Sequence, residues 1–384
     1  MSSRGAKEQV RTYVFKLYHA KRNRRLHQTI DVAGCIWNHL IALHRRYYRR
    51  YRKSLNVSRL QLHITKLKRT KRFAFWNALG SQAIQDVAQR IDRAYKLFFR
   101  NLEHGLKTAP PNFRAVKKYR SFTLKQAGWK LLPENRVVIM GKEYKYFKSR
   151  QVAGKVKTVT VKRDAVGDLW LFFVVDEGQV PVEVRSGEIV GLDFGLKTFL
   201  TTSKGEYIQS PLFFKRNAKL LKILSQKLSR KKPGSSQSRK TRLALARGHR
   251  RTANQRRDFH FKTALALAKG YAAVIVEDLN LKAMQRLWGQ KISDLGHAAF
   301  LDVLSWECFK NGSRLLEIDR FYPSSKTCSK CGYVLAELPL SVRSWQCPTC
   351  SAVHDRDINA AKNIQKVGAR PKNGANFPLL REKT

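Results

Sequence analysis

The sequence has few acidic residues and no long apolar run. Of its 384 residues only 27 are Asp or Glu, against 77 Lys or Arg, which gives a formal net charge of +50. No apolar stretch approaches the roughly 20 residues that a membrane-spanning helix needs. The polar N-terminus MSSRGAKEQVRTYVF does not have the pattern of a secretory signal. We therefore expect a cytoplasmic protein without a membrane partner.

The charge imbalance predicts a polyanionic partner. Self-repulsion at this net charge opposes folding unless bound phosphates neutralise it. Hydrophobic residues make up 43% of the chain, so the chain is expected to fold rather than stay disordered. No amphipathic membrane helix or lipidation signal stands out, so nucleic acid is favoured over an acidic membrane. Charge alone fits a structural RNA-binding protein as well as an enzyme that acts on nucleic acid.

The N-terminal half changes its hydrophobic period twice. Apolar residues have helical spacing in 33–51 and again in 81–104, and Pro110-Pro111 ends this region. On either side of it the apolar residues alternate as they do in strands. We predict a small β-barrel with the helical block inserted into it. Its strands are predicted at 11–18, 136–141, 157–163 and 169–176.

The C-terminal half has the element order of an RNase H-like fold. Three strands come first, followed by a basic helical stretch, a fourth strand, a helix, a fifth strand and a final helix. The basic stretch has no Asp or Glu between Glu206 and Asp258, and KKPGSSQS interrupts it as a turn. The elements are EIVGLDFG, TFLTTS and GEYIQS, the helical stretch from Phe213 to about Lys269, AAVIVED, residues 295–311, SRLLEID and the helix that opens at DINAAKNI.

Carboxylates lie on two of the buried strands. Asp193 lies inside IVGLDFGLK and Glu277 ends AAVIVE. A buried charge is costly unless it is paired or bound to metal. If these two strands are adjacent and parallel, both acids emerge at neighbouring places on the sheet. The last helix offers a third acid, for which Asp357 is preferred, because Asp355 could instead cap the helix.

These acids predict a site for divalent cations. Carboxylates repel each other, and oxygen-only ligation favours Mg²⁺ or Mn²⁺ over zinc. Two such ions about 3.5–4 Å apart hydrolyse phosphodiesters in known nucleases. In that interpretation Asp193 bridges the ions, and Glu277 and Asp357 each hold one of them. The alternative is that each acid is a cap or a salt-bridge partner.

The cysteines predict a separate, structural metal site. Four of them form the pattern C-x2-C-x15-C-x2-C, in which each pair fits a tight turn that directs two thiolates at one ion. In a basic cytoplasmic protein this pattern indicates a closed Zn²⁺ site rather than disulfides. His354 follows closely but is not needed, because four thiolates complete the shell. The predicted ligands are Cys328, Cys331, Cys347 and Cys350.

Several segments together resemble the TnpB proteins, which bacterial transposons encode and which are related to the type V CRISPR effectors. The segments are VGLDFGLK, VEDLN, YPSSKTCSKCG, WQCPTC and HDRDINAAKNI. The resemblance covers about 187–366 by motif and the rest of the chain by organisation. It implies an RNA-guided DNA endonuclease that takes a transposon-derived guide RNA and requires a short motif beside its double-stranded DNA target.

The resemblance also implies the domain organisation and the site residues. The metal-binding acids of a RuvC-like nuclease domain match Asp193, Glu277 and Asp357, and the zinc ligands match the four cysteines. The target would be nucleoid DNA in the bacterial cytoplasm. The implied domains are a wedge β-barrel at 1–19 and 111–185, a helical recognition domain at 20–110, the nuclease domain at 186–320 and 354–366, a zinc ribbon that binds target nucleic acid at 321–353, and a basic, mobile tail at 367–384.

Two basic clusters are candidates for nucleic-acid contact. The first interleaves arginines with Tyr47, Tyr48 and Tyr51, so arginines would contact phosphates and tyrosines would stack. The alternative is a solvated basic face with the tyrosines in the core. The second lies in the acid-free stretch. The candidates are Arg45, Arg46, Arg49, Arg50, Arg239, Lys240, Arg250 and Arg251.

Two alternative functions remain open from the sequence. One is a nuclease-inactive, guide-dependent DNA-binding repressor, against which the intact acids argue. The other is a transposase or resolvase-type nuclease that cuts without a guide. Against it, nearly half of the chain forms the N-terminal helices and barrel, more than a simple resolvase needs.

Overall fold

A computed structural model describes residues 10–178, 183–195, 198–279, 289 and 294–369. The chain divides into two compact units, Met1–Val180 and Pro181–Thr384. Each unit has its own hydrophobic core. The predicted basic tail lies outside the described residues from residue 370 onward.

The first unit combines three helices with antiparallel strands. The strands form a four-stranded sheet in the order β1-β7-β6-β2 and a three-stranded sheet β3-β4-β5. The helices are α1 (Asn23–Tyr51), α2 (Val57–Leu67) and α3 (Ser81–Glu103), and the strands are β1 (Val10–Lys16), β2 (Ser121–Leu124), β3 (Trp129–Leu132), β4 (Arg136–Ile139), β5 (Lys142–Lys145), β6 (Lys155–Arg163) and β7 (Leu169–Asp176).

The first strand of this unit pairs with its last strand. β1 runs antiparallel to β7, with Phe15 opposite Leu171. A single bridge between Leu17 and Tyr146 links the end of this sheet to the region just after β5. The strands of the predicted barrel are therefore present, with the helices inserted after β1, while closure into a barrel stays a prediction.

The apolar stripe of α3 is shorter than its sequence period indicates. Ile84, Val87, Ile91 and Tyr95 are buried in the core, as predicted. Leu102, about four turns beyond Val87 in the same pattern, is 48% exposed. The apolar pattern of α3 therefore continues into its last turns, where the side chain of Leu102 is no longer buried.

The second unit has the predicted RNase H-like topology. Its five-stranded sheet has the order β10-β9-β8-β11-β12, in which β8, β11 and β12 are parallel and β9 and β10 are antiparallel. The strands are β8 (Ile189–Phe194), β9 (Thr198–Thr202), β10 (Tyr207–Gln209), β11 (Ala273–Glu277) and β12 (Arg314–Ile318), and the helices are α4 (Phe213–Ser229), α5 (Ser236–Gly270), α6 (His297–Lys310) and α7 (Arg356–Gly368).

Helices cover both faces of this sheet. Leu192 and Val276 pack in one cluster with Phe300 and Leu304 of α6 and with buried residues of α5. On the other face Ile275 packs with Ile364 of α7. The short strands β13 (Ser344–Gln346) and β14 (Val353–Asp355) pair with each other in the cysteine region and lead directly into α7.

Candidate active site and zinc module

The register of the two central strands places Asp193 beside Glu277. β8 and β11 are parallel neighbours and pair Leu192 with Val276. The next residues are Asp193 and Glu277, and side chains at matched positions of neighbouring strands lie on the same face, with the strands about 4.8 Å apart. The sequence analysis expected the two acids to be neighbours if their strands were adjacent and parallel, and the sheet meets that condition.

Both acids lie on the face of the sheet that α7 covers. Gly191 is two residues before Asp193 and therefore shares its face. A Cβ at Gly191 would overlap the carbonyl oxygen of Ala361 in α7 and lie 2.6 Å from the amide nitrogen of Gln365. Ile275, two residues before Glu277, packs on the other end of α7 at Gly368. The glycine at 191 thus allows the helix to approach the strand closely.

The start of α7 separates the roles of the two candidate aspartates. Asp355 is the N-cap, because its Oδ1 accepts hydrogen bonds from the backbone N–H groups of Asp357 (3.0 Å) and Ile358 (2.9 Å). Asp357 is in the first turn, and its Oδ1 lies 3.2 Å from Nη1 of Arg343. Asp355 therefore caps the helix, and the side chain of Asp357 is not used in the cap.

The three acids influence one another electrostatically. Asp193 is partly buried, and burial, followed by the neighbouring Asp357 and Glu277 carboxylates, raises its pKa to about 7. Within the described ranges, the group of potential metal ligands that converges is the four cysteines, whose sulfurs all lie within 4.8 Å of one another. The three acids are near enough for Asp357 and Glu277 to act on Asp193, but they do not form such a group. Oxygen donors held together against repulsion suit a divalent cation.

Glu277 has a hydrogen-bond donor that the sequence analysis missed. Ser324 Oγ donates to Glu277 Oε2 at 3.3 Å. Burial raises the pKa of Glu277, and the hydrogen bond from Ser324 opposes that change. The neighbouring Asp278 forms an ion pair with Arg320, and its negative charge also raises the pKa of Glu277. A serine in a turn carries no sequence signal for such a contact with a distant strand.

The four cysteines converge as the spacing predicted. Cys328 Sγ lies 3.6 Å from Cys350 Sγ, and Cys331 Sγ lies 3.6 Å from Cys347 Sγ. A tetrahedral zinc ion with Zn–S bonds of about 2.3 Å has S···S edges of about 3.8 Å, so the four sulfurs fit that ion. Trp345, with the partly buried Leu335, Leu338 and Val342, packs beside the sulfurs as a small separate core.

His354 touches the cysteine group without belonging to it. Its Nε2 lies 3.0 Å from Cys328 Sγ, and its ring packs on Trp345 with centroids 4.7 Å apart. The converging group contains the four cysteines alone. That four thiolates complete the shell stays a prediction, and His354 lies within hydrogen-bonding distance of the Cys328 sulfur.

The basic candidates differ in how exposed they are. Arg45 is partly buried, and its Nη2 donates to Pro111 O (3.2 Å) and Asn112 Oδ1 (3.1 Å), so it links α1 to the segment that follows α3. Tyr48 is 44% exposed and Tyr51 is 51% exposed, whereas Tyr47 packs against the core. Arg250 is partly buried. The exposed candidates are Arg46, Arg49, Arg50, Arg239, Lys240 and Arg251, and their contact with nucleic acid stays a prediction.

The fold and the site define a protein whose RNase H-like sheet carries carboxylates at its centre and whose last helix follows a four-cysteine module. Family models cover both parts. Residues 172–287 match the family described as "Probable transposase", and residues 297–364 match the family described as "Cas12f1-like, TNB domain".

Curated relatives identify the family. "Putative RNA-guided DNA endonuclease" of Streptomyces pristinaespiralis is 31% identical over 315 residues, covering 79% of this chain and 76% of the relative. "Putative RNA-guided DNA endonuclease InsQ" of Escherichia coli (strain K12) is 30% identical over 308 residues, covering 75% and 74%. "TnpB-like protein L79" of Acanthamoeba polyphaga mimivirus is 29% identical over 233 residues, covering 56% and 44%. The chain belongs to the TnpB family.

A solved structure supports the fold. The structure described as "Cryo-EM structure of the Cas12f1-sgRNA-target DNA complex" matches 90% of this chain and 83% of that chain with a TM-score of 0.54 and 16% identity. Among the described residues, none of the helices has an apolar segment long enough to cross a membrane.

Proposed function

We propose that this protein is an RNA-guided DNA endonuclease that hydrolyses target DNA with divalent metal at Asp193, Glu277 and Asp357. The observation that carries the proposal is the position of Asp193. It lies on the central strand, beside the end of the parallel strand that bears Glu277, and its pKa is raised by burial and by Asp357 and Glu277. Membership of the TnpB family, whose relatives are named RNA-guided DNA endonucleases, supports the same function.

The three acids act together in the proposed mechanism. Asp193, Glu277 and Asp357 would together hold divalent Mg²⁺ or Mn²⁺ through their carboxylate oxygens. When bound, such ions activate the attacking water and stabilise the leaving oxygen of a scissile phosphate. Ser324 orients the Glu277 carboxylate, and Arg343 beside Asp357 offers positive charge where a phosphate would lie.

The proposed partners are a guide RNA and double-stranded target DNA in the bacterial cytoplasm. A net charge of +50 matches a protein that surrounds several strands of nucleic acid. α4 and most of α5 fall in the acid-free stretch, and α5 packs on the catalytic sheet. The exposed Arg239, Lys240 and Arg251 of α5 would contact phosphates. Base pairing with the guide RNA would recognise the target sequence, and the protein would recognise a short motif beside it.

The test begins with the natively purified protein. RNA extracted from it is sequenced, and DNA that matches the variable end of that RNA is offered with Mg²⁺. Cleavage is expected for the wild type and is expected to be lost in Asp193→Ala, while binding of the matched DNA persists. Asp258→Ala is the matched control, because Asp258 is exposed on α5 and forms an ion pair with Lys262 of the same helix at 2.8 Å.

Each contrary outcome identifies an alternative. Cleavage by the Asp193→Ala variant would show that the site is wrong. Guide-dependent binding without cleavage by the wild type would identify a repressor. Cleavage that survives complete removal of the RNA would identify an unguided transposase or resolvase-type nuclease.

A further inference from the structure

Two asparagines on α7 are almost completely buried. Asn359 is 1% exposed and Asn363 is 2% exposed, and they lie four residues apart on one face of the helix. Asn is a poor helix former. Burying its side-chain amide without hydrogen bonds costs roughly 2–7 kcal/mol. Two such residues in one short helix therefore need partners that the fold provides.

Both amides bind the backbone of the loop 324–329. Asn363 Nδ2 donates to Ser324 O (2.8 Å) and Thr327 O (2.5 Å). Asn359 Nδ2 donates to Thr327 O at 2.7 Å, and Asn359 Oδ1 accepts from the N–H of Ser329 at 2.9 Å. The partners are backbone groups, so the two amides hold the path of the loop rather than one particular side chain.

The loop joins the candidate active site to the cysteine module. At its first residue, Ser324 Oγ donates to Glu277. Near its other end lies Cys328, between Thr327 and Ser329 and therefore between two of the bonded backbone groups. The helix that provides the amides carries Asp357 two residues before Asn359. One hydrogen-bonded unit thus contacts a carboxylate on β11, the helix that bears a second carboxylate, and the first cysteine of the zinc module.

We propose that Asn359 and Asn363 are positioning residues. By holding the loop 324–329 against α7, they couple the conformation around Cys328 and Cys331 to the positions of the Glu277 and Asp357 carboxylates. This inference rests on the proposed metal-dependent nuclease. The amides act through the loop, with Asn363 holding Ser324 at the distance from which its hydroxyl orients Glu277. Neither asparagine touches the reacting atoms. The zinc module then contributes to cleavage by fixing this loop against α7.

The first measurement does not depend on nuclease activity. Amide hydrogen exchange of 324–331 and the rate of zinc loss to a chelator are compared between wild type, Asn359→Ala and Asn363→Ala. Both quantities are expected to rise about tenfold or more in the two variants, because the loop loses its anchors. Asn311→Ala is the matched control, since Asn311 Nδ2 donates to Glu307 O at 2.8 Å on α6. Unchanged exchange and zinc loss in the α7 variants would refute the inference.

The second measurement separates positioning from general damage. The Mg²⁺ concentration at half-maximal cleavage is measured for Ser324→Ala, Asn363→Ala and the double variant. Each single change is expected to raise it about 10- to 100-fold, as loss of groups that orient metal ligands does elsewhere. The double variant is expected to lose little beyond the larger single effect, because the amide acts through the hydroxyl.

The outcomes separate this inference from the proposed function. If the two single effects on the Mg²⁺ requirement multiply in the double variant, Asn363 does not act on Glu277 through Ser324. The same conclusion follows if the variants lose thermal stability but keep the Mg²⁺ requirement of the wild type. A wild type that never cleaves DNA would refute the proposed nuclease, and the exchange and zinc-loss measurements would still decide whether the asparagines hold the loop.

Discussion

Replacing Asp193 with Asn is expected to stabilise the protein while it abolishes cleavage. The carboxylate is crowded by Asp357 and Glu277 and is desolvated, so its ionised form is disfavoured in the folded chain. Asn has nearly the same shape and carries no charge. Residues that serve function at a cost in stability commonly behave in this way.

The size of the gain follows from the pKa of Asp193. That pKa is about 7 in the folded chain against 3.8 for an ordinary Asp. For a group whose pKa is raised by folding, the stability is fully present below the unfolded pKa and is lost as pH rises toward the folded pKa. At 1.36 kcal/mol per pKa unit, the raised pKa costs about 4 kcal/mol at pH 8, where the folded carboxylate is ionised. It costs about 2 kcal/mol at pH 5, where the carboxyl must take up a proton on folding. The Asn variant avoids this cost.

The assay must report on the sheet itself, because the two units of the chain need not unfold together. Amide hydrogen exchange of β8 and β11 is measured across a urea series at pH 5 and pH 8, in zinc-saturated protein without Mg²⁺. Asp258→Asn, an exposed site, is expected to change the free energy of unfolding by less than about 0.5 kcal/mol at either pH. Added Mg²⁺ should then stabilise the wild type but not Asp193→Asn.

Two results would contradict this prediction. If Asp193→Asn is neutral or destabilising at pH 8, or if its effect is equal at the two pH values, the Asp193 carboxylate is not held against its neighbours. Repulsion among the three acids would then give no physical reason to expect a divalent cation at this place.

Three further predictions concern the same unit. Cleavage at saturating nucleic acid should slow as pH falls below about 7, because protonation of Asp193 competes with metal; a rate that is flat from pH 6 to pH 8 would contradict this. Gly191→Ala should lower the free energy of unfolding, measured by urea titration, by about 3 kcal/mol, because its Cβ would overlap backbone atoms of α7. Gly270→Ala is the control; the space around its Cβ is open, so it should be neutral or stabilising. Cys347→Ser should lose zinc by elemental analysis and reduce cleavage together with thermal stability; full cleavage by the zinc-free variant would separate the module from the site.

The sequence by itself determined the elements of the second unit and the residue types of both sites. Apolar strands that carry or end in Asp193 and Glu277 are recognisable because burial and charge conflict within a few residues. The cysteine pairs are recognisable because each pair needs only a short turn to direct two thiolates at one point. These signals are local in the chain, so spacing alone reveals them.

Tertiary structure decided which residues serve each other across the chain. In the folded chain Asp355 caps the last helix, and Asp357 is not used in the cap. Ser324 donates a hydrogen bond to Glu277, and Arg45 donates one to Asn112. Tertiary structure also exposed Leu102 although the helical period continues through it. Each of these outcomes depends on atoms from segments far apart in sequence, and the packing that brings them together leaves no periodic or spacing signal in the chain.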